Sequence, residues 1–416
     1  MAGRLRALGC CVLATTILLS AAAAGLTAEK TPVRLGVSAG FTGPTRAMAV
    51  ELYRGALAAF TRCNRDGGIA GHPVELLAAD DRYDPDAAIE NTVQFLTRDK
   101  VLTLFSALGT PTVSRELPLL RAYAHRGARL FFPVTGLESA RRPPYVRYVC
   151  NLRASYRQEI EALVGAFVDA GASRIALCHQ ADAFGRSGWD GARLALARRA
   201  LTLCGEATFP RLAGMAADMS AQVRILAACR PDAVLIVGPA PACAALIRDM
   251  RREGLTMPVG AVSFAGGEIL LNLLTAEGAR DGRNLQDGLV LSQVTPDWRD
   301  PDLDAARAYR RDLDAMAAAA PPPGGWESPS LEGSASGFEG YLNARLLLAV
   351  LAAMPDPTDR SGLDAAVASL GAVDIGIGVP VLLAGPQHQG LNMVYLATAD
   401  RGRLVPYRSM RVAAGE

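Results

Sequence analysis

Residues 33–45 read VRLGVSAGFTGPT. The first six cluster apolar β-formers as a buried strand does, and Phe41-Thr42-Gly43-Pro44 breaks that run before a segment of helical period at 47–65. A strand, a Gly/Thr/Pro loop and a helix form the first part of a βαβ unit, and the unit recurs. Strands are predicted at 33–38, 74–79, 101–106 and 128–132, with helices at 47–65, 85–98 and 113–126. A second set places strands at 174–178, 206–209, 233–237 and 258–262 and helices at 158–170, 187–200, 219–228 and 242–252. Two such sets exceed what one core holds, so the fold class is α/β with two doubly wound parallel-sheet lobes, first crossed at 145–155. The remainder adds a strand at 289–293, helices at 302–319, 340–354 and 363–370, and short strands near 380, 394 and 404. The segments 321–325 and 328–337, rich in Pro, Gly and Ser, read as a loop insertion.

Half of the 416 residues are hydrophobic and a fifth are charged, which places the chain among globular proteins rather than disordered ones. Its 43 basic and 41 acidic side chains leave +2 without a cationic run, against nucleic-acid binding. At the N-terminus, Arg4 and Arg6 precede an apolar run at 8–24, small residues and a polar TAEK at 27–30, the pattern of a signal peptide over 1–28. Thr15, Thr16 and Ser20 interrupt the run, against a spanning anchor. No later stretch is apolar enough to span, so no stable membrane insertion is expected after the signal is removed. Beyond it stand Cys63, Cys150, Cys178, Cys204, Cys229 and Cys243. An oxidising compartment permits bridges among them, buried free thiols are the equal alternative, and no spacing suits a metal.

Motifs for catalysis are weak. Gly36-Val37-Ser38-Ala39-Gly40 fits G-x-S-x-G, but a nucleophile elbow turns at once into a helix and here Phe41-Thr42-Gly43-Pro44 intervenes. The four histidines, His72, His125, His179 and His388, form no metal or triad motif, and no phosphate loop is present. Asp80 and Asp81 are adjacent, so on one strand they point to opposite faces. The chain is therefore expected to have no catalytic residues and no cofactor. In doubly wound sheets a ligand sits beyond the carboxyl ends of the strands, which directs attention to the loops at 41–45, 107–112, 133–136, 181–185, 238–241 and 263–267.

Several of these loops carry a resemblance. Phe41-Thr42-Gly43-Pro44, NRDGGIAG at 64–71, Asp80 to Asp84 before Pro85, Gly109-Thr110-Pro111-Thr112, Pro133-Val134-Thr135-Gly136, Asp182-Ala183-Phe184-Gly185 with Gly188, and Pro231-Asp232-Ala233-Val234 occur in a specific order. In this the chain resembles the periplasmic Leu/Ile/Val-binding type of solute-binding protein that serves ABC transporters. The resemblance implies a type I periplasmic binding protein fold, a Venus flytrap whose three-segment hinge joins lobe 1 (29–152 with 292–388) to lobe 2 (153–291 with 389–416). It also implies a monomer in the periplasm that delivers a small molecule to a membrane permease.

By position, the resemblance places the ligand carboxylate on hydroxyls and backbone N–H groups of Ala107, Leu108, Gly109 and Thr110, and of Val134, Thr135 and Gly136. Phe184 takes the stacking position, Ser155 and Tyr156 line the hinge side, and Ser263 and Phe264 stand where the family commonly has an acid for a ligand ammonium. Phe264 and Tyr156 read equally well as core. Burying an unpartnered ammonium is costly, so an organic carboxylate competes with a small amino acid as the ligand, and Glu268 is the nearest substitute acid. The alternatives are a sensory module for a signalling partner and an α/β hydrolase using Ser38.

Overall fold

The computed structural model describes residues 30–316, 321–325 and 332–409. The expected signal peptide at 1–28 and part of the 321–337 insertion lie outside these residues. The first set of apolar runs forms strands β1 (Val33–Ala39), β2 (Val74–Asp80), β3 (Thr103–Phe105), β4 (Leu130–Phe131) and β5 (Val149–Cys150). They make a parallel sheet in the order β2-β1-β3-β4-β5. Side chains of β1 are buried on both faces except Arg34, as expected for a sheet covered by helices on either side. Those helices are α1 (Arg46–Arg65), α2 (Pro85–Thr97) and α3 (Thr110–Ala122). Asp84 caps α2 by accepting from the Asp86 and Ala87 N–H groups, with Pro85 pre-set for the first turn.

The second sheet takes β6 (Ile175–Gln180), β7 (Leu203–Phe209), β8 (Ala233–Val237), β9 (Val259–Ala261) and β10 (Leu289–Gln293). Their helices are α4 (Tyr156–Asp169), α5 (Ala183–Ala197), α6 (Ser220–Ala228), α7 (Ala240–Arg252) and α8 (Glu268–Asp281). The chain then returns to the first sheet with α9 (Asp304–Asp314), α10 (Ala335–Ala352), α11 (Leu363–Ser369) and the small hairpin β11 (Val373–Asp374) and β12 (Pro380–Val381). Here α10 joins α1 in one apolar cluster through Phe60, Phe338, Tyr341 and Leu347. Strands β13 (Tyr395–Asp400) and β14 (Arg403–Pro406) end the fold as an antiparallel hairpin beside β10, giving the order β14-β13-β10-β9-β8-β6-β7. Among the described residues no helix is long and apolar enough to cross a membrane.

Three expectations are corrected. The second sheet is mixed, because its last two strands arrive by a hairpin and not by a βαβ crossover. The stretch 145–155 is not all connection: Val149 and Cys150 pair with Leu130 and Phe131 as an edge strand. Strand β10 spans 289–293 as expected, with Ser292 and Gln293 paired to Leu396 and Tyr395. Helix α8 was not among the elements expected between 262 and 289, and its N-terminus is set by Gly267 rather than by a side-chain cap. The six cysteines among the described residues are free thiols, and burial pushes those of Cys150 and Cys178 up to about 12.

The chain passes between the sheets three times, and two passages are braided. Asn151 and Gln389 form a parallel bridge. The Asn151 N–H donates to the His388 carbonyl at 2.6 Å, while the Gly390 and Leu391 N–H groups donate to the Asn151 and Leu152 carbonyls at 2.8 Å.

Under the first sheet lie two buried acids. Asp81 accepts from the Ser38 hydroxyl at 2.8 Å and the Tyr83 N–H at 2.8 Å, and Glu116 is buried on α3. Burial, and for Glu116 also the charge of Asp81, pushes their carboxyls up to about 7 and about 8. Both values lie above those of the unfolded chain, so the folded state holds these protons where the unfolded state has released them. Their contribution to stability is full at acid pH and is lost as pH rises through about 7 to 8. Urea unfolding is expected to give a free energy that falls from pH 5 to pH 9, with a shallower fall in Glu116→Gln. Identical pH slopes for the two proteins would contradict this account.

Candidate functional site

The carboxyl ends of β3 and β4 face those of β6 and β9, and five expected site residues meet there. The Thr110 and Thr135 hydroxyls lie 2.8 Å apart, and Thr110 donates to the Tyr156 hydroxyl at 3.3 Å. Tyr156 packs on Phe184 with ring centroids 5.0 Å apart, and Phe184 on Phe264 at 4.8 Å. All five are fully or almost fully buried. They form a hydroxyl-tipped aromatic wall, with polar groups toward the first sheet and rings toward the second. Beside Phe264 a cavity of about 230 Å³ opens between the start of α1, at Gly43 to Met48, and the start of α7, at Pro239 to Pro241.

Two glycines make the approach possible. A Cβ on Gly109, where φ is 109°, would stand 2.6 Å from the Tyr83 ring. One on Gly136 would stand 2.3 Å from the Tyr156 nitrogen. Leu108 and Val134 bridge the two loops, but their side chains belong to the core. Ala107 packs into a different apolar cluster, beneath α3.

Other expectations change. The backbone N–H groups of Leu108, Gly109 and Val134 do not await a ligand carboxylate, because they donate to the Ser38, Val134 and Ala107 carbonyls at the sheet end. The Ser155 hydroxyl closes the capping box of α4 with Gln158. The Ser263 hydroxyl accepts from Arg153, and its N–H donates to Glu159 at 2.8 Å. Glu268 is turned to the Trp298 indole N–H at 2.7 Å and the Ala335 N–H at 3.1 Å, so it does not supply the acid missing at Ser263. Ser38 lies inside β1 with its hydroxyl donated to Asp81, and no nucleophile elbow forms. Asp80 and Asp81 diverge, Asp80 bonding the Thr42 N–H and hydroxyl.

Sequence reading missed three residues that shape the site. Tyr83, from the loop after β2, stands 6.2 Å from Phe264 ring to ring and accepts from the Gln180 amide at 3.1 Å, linking the two sheets. Its signal was an aromatic residue within the Asp80 to Asp84 segment. Arg153, in the first passage, is 1% exposed at its side chain. It pairs with Glu159 of α4 at 3.2 Å and Glu339 of α10 at 3.3 Å, and its guanidinium lies 5.9 Å from the Tyr156 ring. Burial alone would lower its pKa, but the two carboxylates outweigh that and hold it cationic. Arg141 donates to the Thr135, Leu137 and Arg153 carbonyls and to Gln389, clamping the 134–137 loop onto the braided passages. Burial, then repulsion from Arg153, lowers its guanidinium to about 10.

A periplasmic binding protein family model matches residues 32–403. The chain is similar to an amino acid binding protein of Pseudomonas aeruginosa, 24% identical over 54% of this chain and 58% of that relative. The chain thus spans little more than half the length of the curated relative it matches. Among solved structures it is similar to a possible leucine/isoleucine/valine-binding protein from Rhodopirellula baltica, with TM-score 0.81, 27% identity, and coverage of 93% of this chain and 99% of that one. It is also similar in fold to a substrate-binding periplasmic protein from Ralstonia solanacearum, with TM-score 0.79, 24% identity, and coverage of 90% and 99%.

The Arg153 network sets a measurable cost. Arg153→Met leaves Glu159 and Glu339 buried without their cation and is expected to lower stability by about 3–5 kcal/mol in urea unfolding. Adding Glu339→Gln is expected to restore part of that loss. Simple additivity of the two substitutions would show that the pair is not coupled.

Proposed function

Since the chain belongs to the periplasmic binding protein family, we propose that it is the extracytoplasmic solute-binding component of an ABC importer, and that its ligand is a small organic carboxylate with an apolar or aromatic body. The Thr110, Thr135 and Tyr156 hydroxyls receive the carboxylate, and Phe184 and Phe264 carry the body. The observation that carries the reading is the state of the acids near the site. Glu159 is already bonded to Arg153, the Ser263 N–H and the Ser292 hydroxyl, and Glu339 is ion-paired with Arg153 at 3.3 Å. A ligand ammonium would have to take one of these from a buried guanidinium, whereas a carboxylate needs only the hydroxyls.

In this reading the lobes, 29–152 with 292–388 and 153–291 with 389–416, close on the ligand as a monomer, in the periplasm once the 1–28 signal is removed. The closed form is the one a membrane permease recognises. A ligand shifts that equilibrium only by preferring the closed state, and contact with both Thr135 and Phe184 gives it that preference. Family and fold are those of binding proteins, so the protein acts by binding rather than by turnover.

A small amino acid is the second reading, favoured by the printed name of the Pseudomonas aeruginosa relative. A thermal-shift screen of ligand-stripped protein separates the two. At about 100 times its dissociation constant a ligand stabilises by roughly 2.7 kcal/mol. Aliphatic and aromatic carboxylates are expected to raise Tm, and their α-amino counterparts to do so less. Thr135→Val and Phe184→Ala are each expected to weaken a hit about tenfold or more, through loss of a charge-assisted hydrogen bond and of the aromatic surface. Amino acids as the stronger ligands would establish the second reading, and full affinity in both variants would place the site elsewhere.

A further inference from the structure

A second cavity, of about 310 Å³, lies away from the aromatic wall, between the first turn of α8, the passage after β10 and the β13–β14 hairpin. Its size is at the lower end of small-molecule pockets, and Trp298, Leu396 and Leu404 give it the apolar lining such pockets have. One lining group is out of place in an apolar wall. Gln293, the last residue of β10, is 9% exposed, and among the described residues its amide Nε2 has no hydrogen-bond partner. A buried donor without an acceptor is destabilising, and protein structures rarely leave one.

We propose that this cavity is a second ligand site, for an uncharged carbonyl compound with a small apolar or aromatic body. The carbonyl accepts from Gln293 Nε2, and the body lies against Trp298 and Leu404. The charges on the wall explain why the ligand is neutral. Glu268 already receives the Trp298 and Ala335 N–H groups. Arg299 is held by Asp297 at 2.9 and 3.0 Å and by the Leu404 carbonyl. Neither charge is left to pair with an ion, while Glu268, which follows Gly267 beside the Gln293 amide, repels an anion. The site is independent of the carboxylate reading, since none of these residues belongs to the Thr110–Phe264 wall.

Benzamide is the probe, its carbonyl serving Nε2 and its ring the apolar wall. Saturation-transfer NMR on the purified protein is expected to show saturable binding in the millimolar range. That binding is expected to survive Phe184→Ala, to be lost in Leu404→Trp, which fills the cavity, and to weaken about fivefold or more in Gln293→Leu. Should Leu404→Trp fail to fold, Gln293→Leu decides alone. No saturable binding by the wild type overturns the proposal, as does binding that Phe184→Ala abolishes or that a folded Gln293→Leu leaves unchanged. These outcomes are separate from those of the carboxylate screen, which reads Thr135 and Phe184.

Discussion

Arg153 is the point through which both sheets, the hinge and the candidate site communicate. A guanidinium with 1% of its side chain exposed is tolerable only with close anionic partners. Here one partner comes from α4, on the second sheet, and the other from α10, which packs on the first. The same guanidinium holds the Ser263 hydroxyl and lies near the Tyr156 ring. Moving the sheets apart would separate a buried charge from one of its acids, so the pairing favours the arrangement in which the aromatic wall is assembled. Arg141 extends the constraint by tying the Thr135 loop to the same passage.

The chemistry of the site follows from which groups are already committed. Sheet-end hydrogen bonds consume the Leu108, Gly109 and Val134 N–H donors, the capping box consumes Ser155, and Arg153 consumes Ser263. What converges is a set of hydroxyls on one side and aromatic rings on the other. Such a surface suits a carboxylate head on an apolar body, because hydroxyls donate to an anion and rings need no charge. Glu159 and Glu339, the acids that meet Arg153, are already paired with it.

Much of this was legible in sequence where local physics decides. Parallel strands such as 33–38 and 233–237 announce themselves as apolar runs, and the loops that follow them must lie at the ligand end of the sheet. Thr110, Thr135, Tyr156, Phe184 and Phe264 were named in this way or through the resemblance, and the structure brings them together. What escaped is non-local. Whether Ser155 serves a ligand or a helix end depends on Gln158 folding back, and whether Ser263 is available depends on an arginine 110 positions earlier. Arg153 and Glu339 carry no spacing signal, since their pairing exists only once α10 returns to the first sheet. Strand β5, two residues long, is too short for any periodicity to show. The hairpin that makes the second sheet mixed was seen as short strands, but their antiparallel pairing with β10 was not written in their composition.

With Glu159 and Glu339 paired to Arg153, the proposed site is expected to prefer a carboxylate without an ammonium. Calorimetric titration of the ligand-stripped protein with a matched pair, 3-phenylpropanoate and phenylalanine, tests it directly, because the two differ only in the α-amino group. The account expects 3-phenylpropanoate to bind at least tenfold more tightly. Tighter binding of phenylalanine would contradict it and show that Glu159 or Glu339 leaves Arg153 to meet the ligand.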